Sequence, residues 1–358
     1  NKRESRVSAN IRFFWKILRN FAVIKLVFMR IIHYIYIFTL VVMGVMVSGC
    51  SGMESYRSVE GGVWNTTYHV TYRAGRDMQD SILRVMREVE RSLSPFDGQS
   101  LVSAVNRGDS VKADSLLRRI FTASQEVNLR SGGAFDPTVA PLVNLWGYGY
   151  RSAGVEPTQV AIDSLLAFVG IDECSITSDG YIRKKHAGTE FNFSAITKGY
   201  GCDLVGEMLR RNGCEDYMVE IGGEIALSGR SPRGGDWRVM IDAPVDCDTA
   251  VVHERMAVVA VTACGVATSG NYRNYHETKN GRTWHTISTV DGRPAVTDLL
   301  SATVIAPSCM IADAYATACM ALTARQACRM IESLPDVEGL LVTADSVITT
   351  SGFPEILR

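Results

Sequence analysis

The chain has 358 residues, of which 46% are hydrophobic and 21% charged, so it can form one large domain or two of ordinary size. The formal net charge of −1 is unevenly placed: residues 1–49 hold eight Lys or Arg and one Glu, whereas the rest holds 29 basic and 37 acidic residues. An acidic main body argues against a nucleic-acid partner, which requires a basic surface.

The N-terminal segment accounts for this uneven charge. From Met29 the sequence reads MRIIHYIYIFTLVVMGVMVSGCSG, with a short basic start, an apolar run and small residues before Cys50. This pattern is typical of a lipoprotein signal peptide, whose cleavage leaves Cys50 as a lipid-modified N-terminus. The alternative is an uncleaved transmembrane helix, because the apolar run is about long enough to cross a bilayer. Both interpretations export the rest of the chain.

The same pattern sets the expected domain limits. Residues 1–49 comprise upstream residues and the signal peptide, residues 50–59 a tether, and residues 60–358 the folded domain.

The predicted elements of that domain follow no regular alternation. In chain order, apolar periodicity predicts a strand at 68–72 and helices at 80–93, 115–130, 158–168 and 197–211. Strands follow at 217–221, 237–241, 257–262 and 302–306. The last elements are helices around 313–317 and at 324–334 and strands at 339–343 and 346–350. There is no βαβ repeat and no GxGxxG after the first strand, which argues against a doubly wound dinucleotide fold. We therefore predict an α+β fold, either one compact mixed domain or one divided into two lobes.

The nine cysteines include no CxxC pair, which argues against a zinc ribbon or a dithiol redox site. In an oxidising compartment Cys247 and Cys264 are the candidate disulfide. Cys202, Cys319 and Cys328 occur at helical spacing among apolar residues, and we predict that they are small core residues.

Two glycine-containing segments are candidates for ligand contacts. Residues 132–147, GGAFDPTVAPLVNLWG, predict a fixed loop with an aromatic wall, or a rigid turn that only covers the core. Residues 191–203, FNFSAITKGYGCD, predict a short strand followed by a helix that begins near Lys198. Backbone groups at such a junction, together with a lysine, suit an anionic ligand. Alternatively, Lys198 is a surface residue.

A third candidate is the polar pair in residues 311–323, IADAYATACMALT, a stretch otherwise suited to a buried helix. Asp313 and Thr317 are four residues apart and therefore share one helical face. Two oxygen ligands suit a hard cation such as Mg²⁺, which leaves room for phosphate. The alternative is an Asp that caps the helix and a Thr that bonds back to its own helix.

Taken in order, seven short segments resemble the pattern of the ApbE family of flavin transferases over about residues 60–350. They are NTTYHVTY (65–72), SPFDGQSLVSAVN (94–106), GGAFDPTVAPLVNLWG (132–147), FSAITKGYGCD (193–203), VEIGGEI (219–225), VATSGNY (266–272) and DAYAT (313–317). The resemblance implies a Mg²⁺-dependent enzyme that splits FAD, moves FMN onto a Thr or Ser hydroxyl of an acceptor protein, and releases AMP.

The resemblance also assigns roles to residues. Asp313, Thr317 and the carbonyl of Ala195 would hold the metal, and His285 would help to deprotonate the acceptor hydroxyl, as its ordinary pKa allows. The alternative is that His285 is a core residue. Contacts with the flavin nucleotide are expected from Trp64, Phe96, Ala134, Phe135, Asp136, Ser194, Lys198, Glu220, Gly222, Gly223, Thr268, Ser269 and Ile287.

Two segments depart from the family pattern. Trp64-Asn65-Thr66 replaces a usual Met-Gly-Thr beside the flavin, which leaves FAD hydrolysis to FMN and AMP as an alternative activity. In residues 286–294, TISTVDGRP, Ser288 and Thr289 stand where the family usually has Asp and Pro. This second departure leaves a non-catalytic flavin-binding lipoprotein as a further alternative.

By the same resemblance, the acceptors are membrane-bound subunits of sodium- or proton-pumping redox complexes. Together, the resemblance and the signal segment imply a lipid-anchored protein of the cell envelope that faces the periplasm.

Overall fold

The computed structural model describes residues 13–16, 19, 21, 25, 28–39, 55–151, 157–244, 254–271, 275–278 and 281–357. It divides the chain into two compact units, residues 1–54 and 55–358. In the first unit, residues 28–39 are helical with exposed side chains. Among the described residues, no helix has both the length and the apolar character needed to cross a bilayer. Cys50 and residues 40–54 around it lie outside the described part, so the signal peptide stays a prediction.

An antiparallel sheet of eight strands forms the framework of the second unit. The described strands of this unit are β1 Ser55–Val63, β2 Thr66–Ala74, β3 Ser175–Ile176, β4 Ile182–Arg183, β5 Tyr217–Ile221, β6 Glu224–Ser228, β7 Trp237–Asp242, β8 Arg255–Val261, β9 Cys264–Gly270, β10 Tyr275–Thr278, β11 Gly281–Trp284, β12 Leu299–Ala306, β13 Glu338–Thr343 and β14 Val347–Thr349. The order in the large sheet is β1-β2-β5-β6-β9-β12-β13-β14. The pairs β3–β4, β7–β8 and β10–β11 form separate two-stranded sheets. β1 begins at Ser55, so the expected tether is too long: residues 55–59 belong to the sheet.

The helices are α1 Gln79–Leu93, α2 Leu101–Arg107, α3 Ser115–Arg130, α4 Ala140–Leu145, α5 Gln159–Leu166, α6 Ser194–Arg211, α7 Cys309–Met320 and α8 Ala324–Glu332. Local sequence explains several of their ends. Ser94 precedes a proline and is extended, which ends α1. The Asp114 side chain accepts a hydrogen bond from the Leu117 amide and starts α3. α8 begins with a capping box between Thr323 and Gln326.

Helices and a hairpin cover opposite faces of the large sheet. On the helix side, Val70, Val219 and Ile221 pack with residues of α1 and α6. On the other side, Leu227, Val266, Ile305, Leu340 and Val342 pack against the β7–β8 hairpin. The central strand β12 is therefore buried at seven of its eight positions. The α+β class is confirmed, with one compact unit rather than two lobes in residues 55–358.

Two glycines allow α7 to lie close to its neighbours. A Cβ on Gly199 of α6 would lie 2.3 Å from the Cys309 carbonyl oxygen and 2.8 Å from Asp313 Cβ. A Cβ on Gly265 of β9 would lie 2.1 Å from the Cys309 nitrogen. Both distances are shorter than real Cβ contacts, so only glycine fits either position.

The cysteine predictions have mixed outcomes. Cys202 and Cys319 are fully buried, as expected of core residues, whereas Cys328 is only half-buried. Cys247 lies outside the described residues, so its pairing with Cys264 stays a prediction.

Candidate active site

A cavity of about 1030 Å³ opens among α6, α7, β6 and β9 and the loops around residues 96, 135 and 287. This volume is large enough for a dinucleotide-sized ligand, since small-molecule sites run to roughly 1,000 Å³. It brings together nearly all the residues predicted as a site: Trp64, Phe96, Ala134, Phe135, Asp136, Ser194, Ala195, Lys198, Gly222, Gly223, Thr268, Ser269, His285, Ile287, Asp313 and Thr317.

Oxygen atoms of three elements converge on one side of this cavity. The Asp313 side chain is 2% exposed, and its Oδ2 accepts a hydrogen bond from the Gly199 amide at 3.0 Å. Thr317 Oγ1 lies 3.5 Å from the Ala195 carbonyl oxygen and 3.4 Å from Ser269 Oγ. Burial raises the pKa of Asp313, while Lys198 and the Gly199 amide act in the opposite direction.

This geometry decides between the two interpretations of the polar pair. Ser308, not Asp313, caps α7, and its side chain accepts a hydrogen bond from the Ile311 amide. Thr317 bonds across to α6 rather than back to its own helix. The capping alternative is therefore wrong, and both polar side chains face the cavity.

Lys198 lies in the cavity, not on the outer surface of the protein. Its Nζ is 2.5 Å from Oε1 of Glu224, whose side chain is 5% exposed. Burial raises the pKa of Glu224 to about 7, against the opposing effect of the Lys198 charge. Burial lowers the pKa of Lys198, but Glu224 and Asp313 outweigh this effect and raise it above its usual range.

The start of α6 differs from the prediction. The helix begins at Ser194, and residues 191–193 are not a strand. Ala195 and Lys198 therefore lie in the first turns of one helix, and both face the same cavity.

Asp136 lines the cavity, yet its carboxylate is already hydrogen-bonded to groups of α3, of its own loop and of residue 171. It accepts hydrogen bonds from Asn128 Nδ2, from the amide and hydroxyl of Thr138, and from the Ile171 amide. Burial raises the pKa of Asp136, and these bonds oppose that shift. Both interpretations of residues 132–147 are therefore correct in part, since hydrogen bonds fix the loop and the loop also forms a wall of the cavity.

Glu220 is the one predicted nucleotide contact that the structure does not bring to the cavity. Its carboxylate instead accepts a hydrogen bond from the Gly223 amide at 2.7 Å and lies 2.5 Å from His69 Nδ1. Side chains alternate along a strand, and the neighbours Val219 and Ile221 of Glu220 face the helices, so Glu220 faces away from them. The cavity glutamate of the VEIGGEI segment is Glu224, which the sequence reasoning missed.

His285 is half-buried at the cavity wall, with its ring edge-on to Tyr148 and the ring centroids 6.4 Å apart. A core position is thus excluded, and the ring can meet a ligand. Tyr148 also lines the cavity, as do Asn192, Met240 and Thr289, none of which were predicted to contact a ligand.

The unusual loop at residues 286–294 is held by the residues that replace the family pattern. Ser288 Oγ accepts hydrogen bonds from the Val290 and Asp291 amides, and the Ser288 carbonyl accepts one from Gly292. Thr289 Oγ1 donates to the Gly133 carbonyl at 2.7 Å and ties the loop to the opposite wall. The residues that depart from the family pattern therefore themselves fix the loop.

Comparison with known proteins identifies the family of this chain. A sequence model of the ApbE family matches residues 64–341. The chain belongs to the ApbE family. It is 33% identical over 287 residues to the FAD:protein FMN transferase of Vibrio cholerae, covering 77% of this chain and 84% of that relative. It is 32% identical over 273 residues to the FAD:protein FMN transferase of Escherichia coli K12, covering 74% and 76%.

Solved ApbE structures share the fold. The flavin transferase ApbE from Vibrio cholerae superposes with a TM-score of 0.74 at 30% identity, covering 84% of this chain and 98% of that chain. The apo flavinyl transferase ApbE of Pseudomonas stutzeri gives a TM-score of 0.74 at 29% identity, covering 83% and 95%. The family resemblance drawn from the seven segments is confirmed.

Proposed function

We propose that this protein is a transferase that moves FMN from FAD onto a Thr or Ser hydroxyl of an acceptor protein and releases AMP. One observation carries the proposal: a single cavity brings the oxygens of Asp313, Thr317 and Ala195 beside the ammonium group of Lys198. Relatives named FAD:protein FMN transferase, at 33% and 32% identity, support it.

The donor set fits Mg²⁺. Asp313, Thr317 and Ala195 offer a carboxylate, a hydroxyl and a carbonyl, all hard oxygen donors. Among the described residues there is no group of three His, Cys, Asp or Glu side chains that could hold a metal. A site with few protein ligands suits Mg²⁺, which completes its shell with water and substrate phosphate. When bound, the ion would neutralise charge on the diphosphate and on the departing AMP.

The protein's own groups provide the remaining functions. Lys198, kept protonated by its carboxylate neighbours, can donate hydrogen bonds to a diphosphate oxygen. The rings of Phe96 and Phe135 offer apolar surface for the flavin or the adenine.

The reaction can be written with its atoms balanced. The acceptor hydroxyl oxygen bonds to the FMN phosphorus, and the bond from that phosphorus to the AMP oxygen breaks. The hydroxyl proton passes to His285, and AMP leaves with the bonding electrons. The products are a phosphoester-linked FMN and AMP.

FAD hydrolysis is the second candidate, and the β1–β2 turn favours it. Trp64 and Asn65 both have positive φ, 47° and 60°, and both line the cavity. A bulky indole in this turn changes the wall beside the ligand and alters the space open to an acceptor. Water would then replace the acceptor hydroxyl, with FMN and AMP as the products.

One assay separates the two activities. The full chain is incubated with FAD, Mg²⁺ and a candidate acceptor domain, and the acceptor is examined on a denaturing gel for flavin fluorescence. A fluorescent acceptor, with the FMN located on a Thr or Ser by mass spectrometry, is the expected result. Free FMN and AMP with an unlabelled acceptor would contradict transfer and support hydrolysis.

We also propose a lipid anchor at Cys50, a periplasmic location in the cell envelope, and acceptors among membrane-bound subunits of ion-pumping redox complexes. The anchor and the location rest on the MVSGC sequence that precedes the domain, whereas the acceptors rest on the family resemblance. Metabolic labelling with a fatty acid should mark the wild-type protein and not Cys50→Ser. Equal labelling of both would contradict the anchor.

A further inference from the structure

Glu224 has an unusual environment for a buried carboxylate. Its side chain is 5% exposed, and Oε1 pairs with Lys198 Nζ at 2.5 Å. Its other oxygen, Oε2, is buried and accepts no hydrogen bond from the described part of the chain. Burying a charged oxygen without a donor is costly, so native proteins rarely leave one without a reason. Glu224 lines the same cavity as Asp313 and Lys198.

The chain holds this carboxylate in place from both sides. Gly222 and Gly223 have positive φ, 64° and 104°, and make the tight turn that leads into Glu224. A Cβ on Gly222 would lie 3.3 Å from Lys198 Cδ, so the turn leaves room for the lysine stem. Cys202, one helical turn after Lys198, donates its thiol hydrogen to the Glu224 carbonyl at 3.2 Å. Both members of the ion pair are therefore attached to α6.

The proposed ligand of the cavity limits which group can donate a hydrogen bond to Glu224 Oε2. A phosphate oxygen cannot supply it, because phosphate carries no hydrogen and repels a carboxylate. In FAD, the donors nearest the diphosphate are hydroxyls: those of the ribityl chain on the FMN side and those of the ribose on the AMP side. A hydrogen bond from a hydroxyl to a carboxylate is among the stronger neutral-to-charged bonds.

We propose that Glu224 is a substrate-binding residue whose Oε1 holds Lys198 in the cavity and whose Oε2 accepts a hydrogen bond from a sugar or polyol hydroxyl beside the FAD diphosphate. This inference rests on the proposed function, since it takes FAD as the ligand. It assigns separate tasks to the two glutamates of VEIGGEI: Glu224 meets the ligand, and Glu220 supports the turn from the opposite face of the strand.

The test compares Glu224→Ala and Glu224→Gln with the matched control Glu220→Gln in the full chain. Glu220→Gln lies four residues away, keeps a hydrogen-bond acceptor for the Gly223 amide, and is outside the cavity. Affinities for FAD, FMN, ADP and inorganic pyrophosphate are measured by calorimetry with Mg²⁺ present. Pyrophosphate has phosphates but no sugar or polyol hydroxyl. A change in its affinity therefore reports only how the substitution of Glu224 alters phosphate binding by Lys198.

We expect Glu224→Ala to lose about tenfold or more in FAD affinity, in line with a hydrogen bond to a charged group. The loss of affinity for pyrophosphate should be smaller. If the hydroxyl is on the ribityl chain, FMN should lose more affinity than pyrophosphate does; if it is on the ribose, ADP should. Glu224→Gln, which keeps an acceptor oxygen, should recover part of the loss. Glu220→Gln should bind FAD like the wild type.

Three outcomes would overturn the inference. They are an unchanged FAD affinity in Glu224→Ala, an equal loss for pyrophosphate, FMN and ADP, or a loss of affinity for Mg²⁺ alone, which would make Oε2 a metal ligand. Thermal unfolding identifies a variant that fails to fold, and Glu224→Gln then carries the test.

The acceptor-labelling assay separates this inference from the proposed function. If the wild type labels an acceptor while Glu224→Ala binds FAD normally, only the inference fails. If FAD binding depends on Glu224 but no acceptor is labelled, only the proposed function fails.

Discussion

Two parts of the cavity wall are built differently. The helix floor, residues 194–199 of α6 and 313–317 of α7, places polar groups on two packed helices, with Asp313 2% exposed. The loop rim, residues 94–99 and 286–290, carries Phe96, which lines the cavity and is 67% exposed, and Val290, which lies outside the lining and is 86% exposed. The floor has one fixed geometry because its helices interlock, whereas the exposed side chains of the rim can change without disturbing the core. This contrast predicts that metal binding and charge stabilisation depend on the floor, and that ligand preference depends on the rim.

The largest effect should come from the floor carboxylate. Asp313→Ala should lower Mg²⁺-dependent FMN transfer by at least about a hundredfold, because a metal ion supplies several kcal/mol of charge stabilisation and each ~1.4 kcal/mol is a factor of ten. The measurement is the rate of acceptor labelling, with circular dichroism to show that the fold is kept. Labelling at the wild-type rate would remove the metal assignment.

Paired glycine substitutions test the contrast in packing. Gly199→Ala should lower the free energy of unfolding by about 2 to 3 kcal/mol, since its Cβ would overlap the Cys309 carbonyl. Gly98→Ala is the matched rim control: its Cβ would meet nothing within 4 Å, so we expect a change within about 0.5 kcal/mol. Urea denaturation measures both. Equal destabilisation by the two substitutions would show that floor and rim are packed alike.

Next to the floor, the buried carboxylate of Asp203 makes the contact between α6 and α7 sensitive to pH. Burial raises the pKa of Asp203 to about 6, although the Met310 and Cys309 amides donate to it. In the unfolded chain the pKa of Asp203 is roughly 4. Between that pH and about 6, the folded state binds more protons than the unfolded state, so the free energy of unfolding falls as pH rises. The free energy of unfolding of the wild type should fall relative to Asp203→Asn by about 2 kcal/mol from pH 4 to 7. A constant difference over this pH range would contradict the raised pKa.

The smallest effect should come from the rim. Phe96→Ala should leave stability within about 0.5 kcal/mol of the wild type, because the ring is already exposed. It should raise the KM for FAD by about tenfold if the ring stacks on a base or flavin, with kcat changed less. Steady-state labelling at varied FAD concentration measures both constants. A fall in kcat at constant KM would place Phe96 in the chemical step instead.

Sequence reasoning predicted the floor better than the details around it. Asp313 and Thr317 could be paired because helical spacing alone places them on one face, and the structure confirms this. The bounds of α3 match the predicted 115–130, which apolar periodicity gave, and the structure shows that Asp114 caps its start. The start of α6 was missed because Phe193, its cap position, makes no side-chain capping bond and so leaves no local signal.

The remaining errors arise from long-range pairing. β1 was not predicted because its residues are mostly exposed and show no apolar alternation, and its pairing with β2 defines it. Glu224 was overlooked in favour of Glu220 because the Gly222-Gly223 turn interrupts the period of two between β5 and β6. Alternation along β5 would have placed Glu220 on the face opposite the helices.

The bonds between α6 and α7 run in both directions. Asp313 of α7 accepts from the Gly199 amide of α6, while Asp203 of α6 accepts from the Cys309 and Met310 amides of α7. Neither helix can slide or fray here without breaking bonds of the other. These three amide hydrogens should therefore exchange with solvent deuterium only when the whole domain opens, and the two helices should behave as one cooperative unit.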